Sequence, residues 1–221
     1  MYLGDEFPNF TANTTAGKID FHDWIGQSWA ILFSHPSDFT PVCTTELARV
    51  VKLMPEFKKR NVKVIGISCD SLTSHFLWCR DIRSYAGCTL DESFPYPIIE
   101  DEDRIIAKTL NMLDKDEMDS KGMPLSARAV FIIDPQKKYR LSILYPATTG
   151  RNFDEILRVI DSLQLTDKHR VATPVDWKMG DDCMVLPAVS DEELKKSFPQ
   201  VKVVQVPSGK QYLRKTPCPK M

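Results

Sequence analysis

No stretch of the 221-residue chain approaches the ~20 consecutive apolar residues that a membrane-spanning helix requires, which argues against an integral membrane protein. The opening Met1-Tyr2-Leu3-Gly4-Asp5-Glu6 has no basic region followed by an apolar one, so no secretory signal is read there. Charge of one sign is also missing. With 29 Lys and Arg against 30 Asp and Glu the net charge is −1, which argues against nucleic acid or an anionic membrane held by bulk electrostatics. Cysteine is scarce, and none of the 6 falls in a Cys-x-x-Cys pair. That is too sparse for a disulfide scaffold in a chain this long and points to a reducing, cytoplasmic setting. His75 and Cys79 share a helix face, but no second ligand pair has suitable spacing, so no metal is expected. Internal repeats and low-complexity tracts are absent as well.

What is present is a chain that is 43% hydrophobic, enough for a substantial core. Trp29-Ala30-Ile31-Leu32-Phe33-Ser34 reads as a buried strand. A helix follows, with Leu47, Val50, Val51, Met54 and Phe57 on its apolar face and Pro55 expected to kink it. Residues 62–68 read as the next strand, 71–84 as a helix and 103–110 as a shorter one. Two apolar runs, 129–133 and 139–145, flank Asp134-Pro135-Gln136-Lys137-Lys138 and read as a hairpin. Asn152 then starts a helix whose buried face carries Phe153, Ile156, Leu157, Ile160 and Leu163. The order strand–helix–strand–helix, then hairpin–helix, implies an α/β protein of mixed sheet and the order of a thioredoxin-like fold. Composition changes near residue 170. Segment 170–221 holds six of the 15 prolines, one short helix candidate at 191–197 and one strand candidate at 201–206. The expected organisation is therefore a main domain over 1–169 and an arm over 170–221 that packs on the main domain or on a second subunit.

The chemically informative stretch is Pro36-Ser37-Asp38-Phe39-Thr40-Pro41-Val42-Cys43-Thr44-Thr45-Glu46. Thr40 suits an N-cap and Pro41 the first helical position. Cys43 then falls at the third helical position, where a backbone N–H lacks an intrahelical partner. A thiolate there meets the positive end of the helix dipole, and ionised sulfur is the nucleophile. Taken alone, a single cysteine after a strand is more often a small buried hydrophobe.

Pro36, Thr40 and Cys43 match a Pro-x-x-x-Thr-x-x-Cys signature, and by it the chain resembles the peroxiredoxins. Four segments resemble the 1-Cys, peroxiredoxin-6 branch: Phe33 to Pro36, Pro41 to Leu47, Tyr145 to Phe153 and Ala172 to Trp177. The resemblance implies a thioredoxin-like fold of peroxiredoxin type with a C-terminal arm subdomain. It implies a thiol-dependent peroxidase acting on hydrogen peroxide and organic hydroperoxides without metal or organic cofactor. The matching Pro36, Thr40, Cys43 and Arg128 carry the active site, with His35, Glu46 and Arg151 around it, Arg151 as partner of Glu46. In that reading Cys43 attacks the peroxide, Arg128 stabilises charge on sulfur and oxygen with its rigid donor fork, Thr40 holds a peroxide oxygen and Pro36 shields the intermediate. The product is a sulfenic acid. Two-Cys relatives carry a resolving cysteine four residues before a tryptophan. Trp177 marks that place here and Thr173 stands at the cysteine position, so an external thiol such as glutathione is implied as reductant. A glutathione S-transferase partner, a homodimer and a cytoplasmic location follow from the same resemblance. Cys183 and Cys218 remain as thiols of the arm that are candidates to resolve Cys43.

Two other readings stand beside this one. A protein that oxidises once and binds partners, as a sensor or holdase, would show a single stoichiometric burst. The resemblance to that branch also implies a phospholipase A2-type hydrolase, which would use Ser28 in Gly26-Gln27-Ser28-Trp29-Ala30 with His22 as base. Ala30 stands where that motif needs glycine, and Gln136 where it needs the aspartate that orients the base, with Asp134 two residues away. Cys69, Cys79 and Cys88 are read as structural.

Overall fold

The computed structural model describes residues 1–89 and 93–220, which fall into two units, Met1–Phe153 and Asp154–Met221. The first unit begins with a hairpin, β1 (Thr11–Thr14) and β2 (Gly17–Asp20), turned at Gly17 with φ +101°. A short helix α1 (Phe21–Ile25) leads into β3 (Trp29–Ser34), which is buried at all six positions. Helix α2 (Pro41–Lys59), strand β4 (Val62–Ser68) and helix α3 (Leu72–Ala86) follow. Ser71 caps α3 by accepting from the Ser74 amide, and Gly87, left-handed at φ 77°, ends it. Beyond lie β5 (Ile98–Glu100), α4 (Ile105–Thr109), β6 (Leu113–Met118), β7 (Pro124–Ser126), β8 (Arg128–Ile133) and β9 (Tyr139–Tyr145).

Seven strands make one sheet in the order β2-β1-β5-β4-β3-β8-β9, while β6 and β7 pair separately. The centre is parallel, with β3 against β4 and β4 against β5; β8 joins β3 antiparallel and β9 closes one side. Buried on both faces, β3 reads as an unbroken apolar run rather than an alternating one. A core of Phe7, Phe21, Ile25, Leu32, Ile65, Ile67, Phe131 and Ile133 packs around it. The C-terminal end of β3 hands the chain directly to the loop and first turn of α2, and Arg128 opens the neighbouring strand.

The expected central strands, helices and hairpin are present. Pro55 does not interrupt α2, which continues to Lys59. The short strands β1, β2, β5, β6 and β7 were not expected. They span three to six residues and pair largely at the sheet margin or outside the sheet, where a period-2 pattern is faint.

The second unit carries α5 (Phe153–Lys168), β10 (Val171–Ala172), β11 (Cys183–Val185), α6 (Asp191–Ser197), β12 (Lys202–Val203) and β13 (Arg214–Thr216). The boundary falls after Phe153, the first residue of α5, rather than at 170, and Leu165 of α5 packs with Val171, Trp177, Cys183, Val185 and Val189. The four strands form an antiparallel sheet, β10-β11-β13-β12. Arg214 is buried there and holds the carbonyls of Val189 and Leu186. The expected helix at 191–197 and a strand within 201–206 are present; the other strands, of two or three residues, are too short to register as periodicity, and the segment owns a small core.

Candidate active site

Thr40 stands at the N-cap position with extended backbone (φ −111°, ψ 147°), and Pro41 follows at the first helical position. The cap is made differently from the expectation. The Thr40 side chain accepts nothing from the first turn; its Oγ1 donates to the Ser37 carbonyl at 2.8 Å. Phe39, just before it, adopts φ 54°, a left-handed conformation that costs an L-residue energy, and its ring lies 6.3 Å from that of Trp78. Trp78 donates its indole N–H to Thr44 Oγ1 (3.1 Å), and Thr44 donates to the Thr40 carbonyl (2.8 Å). The first turn of α2 is thus tied to α3 from behind.

Cys43 is fully buried, and Arg128 Nη1 donates to its Sγ at 3.2 Å. The same nitrogen donates to Glu46 Oε2 at 2.8 Å, while Nε and Nη2 both donate to the Ala147 carbonyl. Glu46 is one helical turn after Cys43. It also accepts from Arg151 through the backbone N–H (2.7 Å), Nε (3.0 Å) and Nη2 (2.7 Å). Arg151 donates its remaining fork to the Ala129 carbonyl and stacks over Phe33. Burial alone would raise the Glu46 carboxyl, but the hydrogen bonds and charge of Arg151, with Arg128 behind them, hold it below the usual carboxylate range. Two guanidiniums and one carboxylate leave this pocket with one surplus positive charge, which a thiolate at Sγ brings to zero.

His35 and Pro36 are buried at the end of β3. His35 Nε2 meets Asp38 Oδ1 at 2.7 Å, and His75 Nδ1 meets Asp38 Oδ2 at the same distance; Ser74 Oγ donates to that oxygen as well. Burial raises the Asp38 carboxyl, yet hydrogen bonds from both imidazoles outweigh it and hold the group far below the ordinary range. The ligand atoms of His35, Asp38 and His75 all lie within 4.8 Å of one another, the one metal-type grouping among the described residues. Contacts of 2.7 Å are hydrogen-bond lengths, and His75 Nε2 is also engaged by the Ile99 carbonyl, so the trio serves to pin the loop before α2 onto α3. His75 therefore partners Asp38, and not Cys79 as in the zinc alternative.

Cys43, Arg128, Glu46 and Arg151 are brought into one hydrogen-bonded cluster, with Thr40 in the turn that carries Cys43 and His35 and Pro36 in the loop before it. Asp38, His75, Trp78 and the Ala147 carbonyl were not anticipated as its supports. The sequence shows an aspartate two residues before Thr40, but its burial is known only from the structure. The serine-hydrolase arrangement does not form. Ser28 Oγ donates to Asn61 Oδ1, His22 Nε2 contacts the Phe7 carbonyl, Gln136 is exposed and Asp134 pairs with Arg140. Thr173, at the position of the missing resolver, bonds Ser162.

A model of the AhpC/TSA family matches residues 3–142, and one of the C-terminal domain of 1-Cys peroxiredoxin matches residues 162–200. The chain is 63% identical over 220 residues to peroxiredoxin-6 of Rattus norvegicus, covering 99% of this chain and 98% of that protein. It is 61% identical to the Homo sapiens protein over the same span. The crystal structure of a cysteine-to-serine mutant of the peroxiredoxin 6 of Arenicola marina superposes with a TM-score of 0.98 at 60% identity, covering 100% of both chains. A yeast mitochondrial 1-Cys peroxiredoxin, described for its thiol resolving mechanism via glutathione/thioredoxin systems, superposes at 0.88 with 45% identity, over 98% of this chain and 99% of that one.

Proposed function

We infer the working cycle from a plain premise: the chain belongs to the AhpC/TSA peroxiredoxins, in the 1-Cys, peroxiredoxin-6 branch, has their thioredoxin-like fold with a C-terminal extension, and is a thiol-dependent peroxidase. The reading assigns the nucleophile to Cys43, and the observation that carries it is the 3.2 Å contact between Arg128 Nη1 and Sγ. The sulfur is enclosed, so a peroxide reaches it when the immediate cover moves. The thiolate attacks one peroxide oxygen in line. An S–O bond forms, the O–O bond breaks, and the departing oxygen leaves as water or alcohol after taking up a proton. Arg128 keeps its fork aimed because Ala147 and Glu46 hold the other nitrogens; it stabilises charge as it moves from sulfur to oxygen. The Thr40 proton is committed to the Ser37 carbonyl, so its hydroxyl oxygen faces the substrate as an acceptor for a peroxide O–H. Pro36 has no N–H to offer and keeps water from the sulfenic acid. His35 and Arg151 position the loop and Glu46.

The sulfenic acid is reduced by an external thiol. Thr173 at the resolver position supports this, as does the glutathione/thioredoxin description of the yeast relative. Glutathione, delivered with a glutathione S-transferase, is the proposed reductant; no metal or organic cofactor takes part. We also propose a homodimer in a reducing, cytoplasmic setting. Strand β9 is the outer strand of the seven-stranded sheet and has an exposed Leu144, a feature that favours pairing with a second copy, and all six cysteines are free. The test is peroxide consumption with glutathione, with and without the transferase, in wild type and Cys43→Ser. Full activity in Cys43→Ser would sink the assignment, and sedimentation as a monomer at micromolar concentration would sink the dimer.

A further inference from the structure

The second unit holds a pair of thiols that the peroxidase cycle leaves unused. Cys183 opens β11 and faces Thr216 of β13 in the antiparallel register. Cys218 lies two residues further, the offset that returns a side chain to the same face of an extended chain. It packs on the apolar cluster that contains Cys183, and its nearness adds to the upward push that burial gives the Cys183 thiol. Cys183 is fully buried, whereas Cys218 is half-buried and forms part of the wall of a cavity of about 490 Å³ with Lys168, His169, Arg170 and Phe198.

We propose that Cys183 and Cys218 are a second oxidation site, which peroxide converts to a reversible disulfide that fastens the tail after β13 to β11. Cys218 reacts first, because it is the sulfur that a small oxidant in the cavity reaches. As thiolate it attacks one oxygen of the hydroperoxide. The S–O bond forms, the O–O bond breaks, and the departing oxygen takes a proton to leave as water or alcohol. Cys183 then attacks the Cys218 sulfur. The S–S bond forms, the S–O bond breaks, and hydroxide leaves as water with the proton from Cys183. In sum, two thiols and one hydroperoxide give a disulfide, an alcohol or water, and a water. Burial, with the neighbouring Cys218 adding to it, pushes the Cys183 thiol up to about 11, so the second step is slow. The pair suits a response to sustained oxidant rather than turnover. A small thiol attacking Cys218 through the cavity reverses it.

The test uses the full-length Cys43→Ser protein, so that any cross-link is independent of the peroxidase cysteine. It is treated with hydrogen peroxide, blocked with N-ethylmaleimide at acidic pH and digested with trypsin without reduction. The expected result is Met179–Lys195 joined to Thr216–Lys220, two hydrogens lighter than the sum of the peptides and separated by dithiothreitol. Recovery of both peptides alkylated, or of Cys218 as sulfonic acid with Cys183 alkylated, overturns the proposal. In Cys183→Ala, dimedone should label Cys218; no adduct overturns the order of attack. On oxidation, amide exchange across β13 should slow; unchanged exchange overturns the fastening. Cys218→Ser should retain peroxidase turnover with external thiol, so failure of the cross-link is distinguishable from failure of the Cys43 reading.

Discussion

Cys43 and Cys79 both sit on helices of the N-terminal unit, and both are buried, at 0% and 7% exposure. Cys43 lies in the first turn of α2 with a guanidinium N–H aimed at its sulfur. Cys79 lies in the middle of α3, where burial pushes its thiol up to about 12, the Asp38 carboxylate adds to the rise and Arg83 only partly offsets it. On the proposed assignment of the nucleophile to Cys43, burial is therefore not what separates the two sulfurs. The sign of the charge that faces the sulfur, and the scaffold that keeps it there, make the difference. Around Cys43 that scaffold is Glu46, clamped between two arginines; around Cys79 there is no equivalent among the described residues.

The strongest way to break this contrast is to exchange one sulfur for oxygen at each site. Cys43→Ser should lower peroxide turnover by about three orders of magnitude or more, to background, because the nucleophile is gone. Cys79→Ser should stay within about twofold of wild type, since a buried sulfur away from the reacting atoms supplies packing only. Equal losses in the two variants, read by peroxide consumption, would erase the distinction. Next in size is the donor itself. Arg128→Gln should reduce kcat/KM for peroxide by about a hundredfold, the usual effect of losing one aimed donor. Steady-state kinetics at several peroxide concentrations checks this, and circular dichroism shows whether the fold persists.

The supports are tested with acid. Asp38 and Glu46 both titrate below their usual values of 3.8 and 4.5, so the unfolded chain binds these protons first as pH falls. Their contribution to stability is therefore complete above about pH 5 and is lost as the pH drops through the folded-state values. The thermal midpoint should fall steeply below about pH 4, and Asp38→Asn should flatten that slope. An unchanged slope would show that the imidazole–carboxylate chain does not hold the loop. The smallest expected effect is Thr44→Val, which leaves the Trp78 indole N–H without its acceptor and should cost about 1 kcal/mol in urea unfolding.

Much of the frame was legible. The apolar run at Trp29–Ser34 reads as a strand buried on both faces, and the Thr-Pro step at 40–41 places a helix start within a residue. The edge strands were not, because strands such as Ile98–Glu100 are too short to show a period and owe their conformation to a neighbour. In the C-terminal segment, Cys183–Val185 is invisible for the same reason, while Lys202–Val203 falls inside the strand expected over 201–206. At the site, Arg128 and Arg151 were named by resemblance, but the carbonyls of Ala147 and Ala129 that orient them carry no sequence signal. The Thr40 side chain shows the opposite error, since a good capping residue gave its hydrogen bond to Ser37 instead.

Sequence by itself determined which sulfur stands at a helix start, that a proline and a threonine precede it, and that no cysteine occupies position 173. Those are local matters, decided by dihedral preferences and by the identity of single residues. Only the tertiary structure decided that Arg128, 85 residues further on, would meet that sulfur, that Glu46 would hold two guanidiniums, and that Cys218 would pack on the cluster that contains Cys183. Such encounters depend on strand order and register, which follow from how the whole chain buries its apolar surface and cannot be read from any one segment.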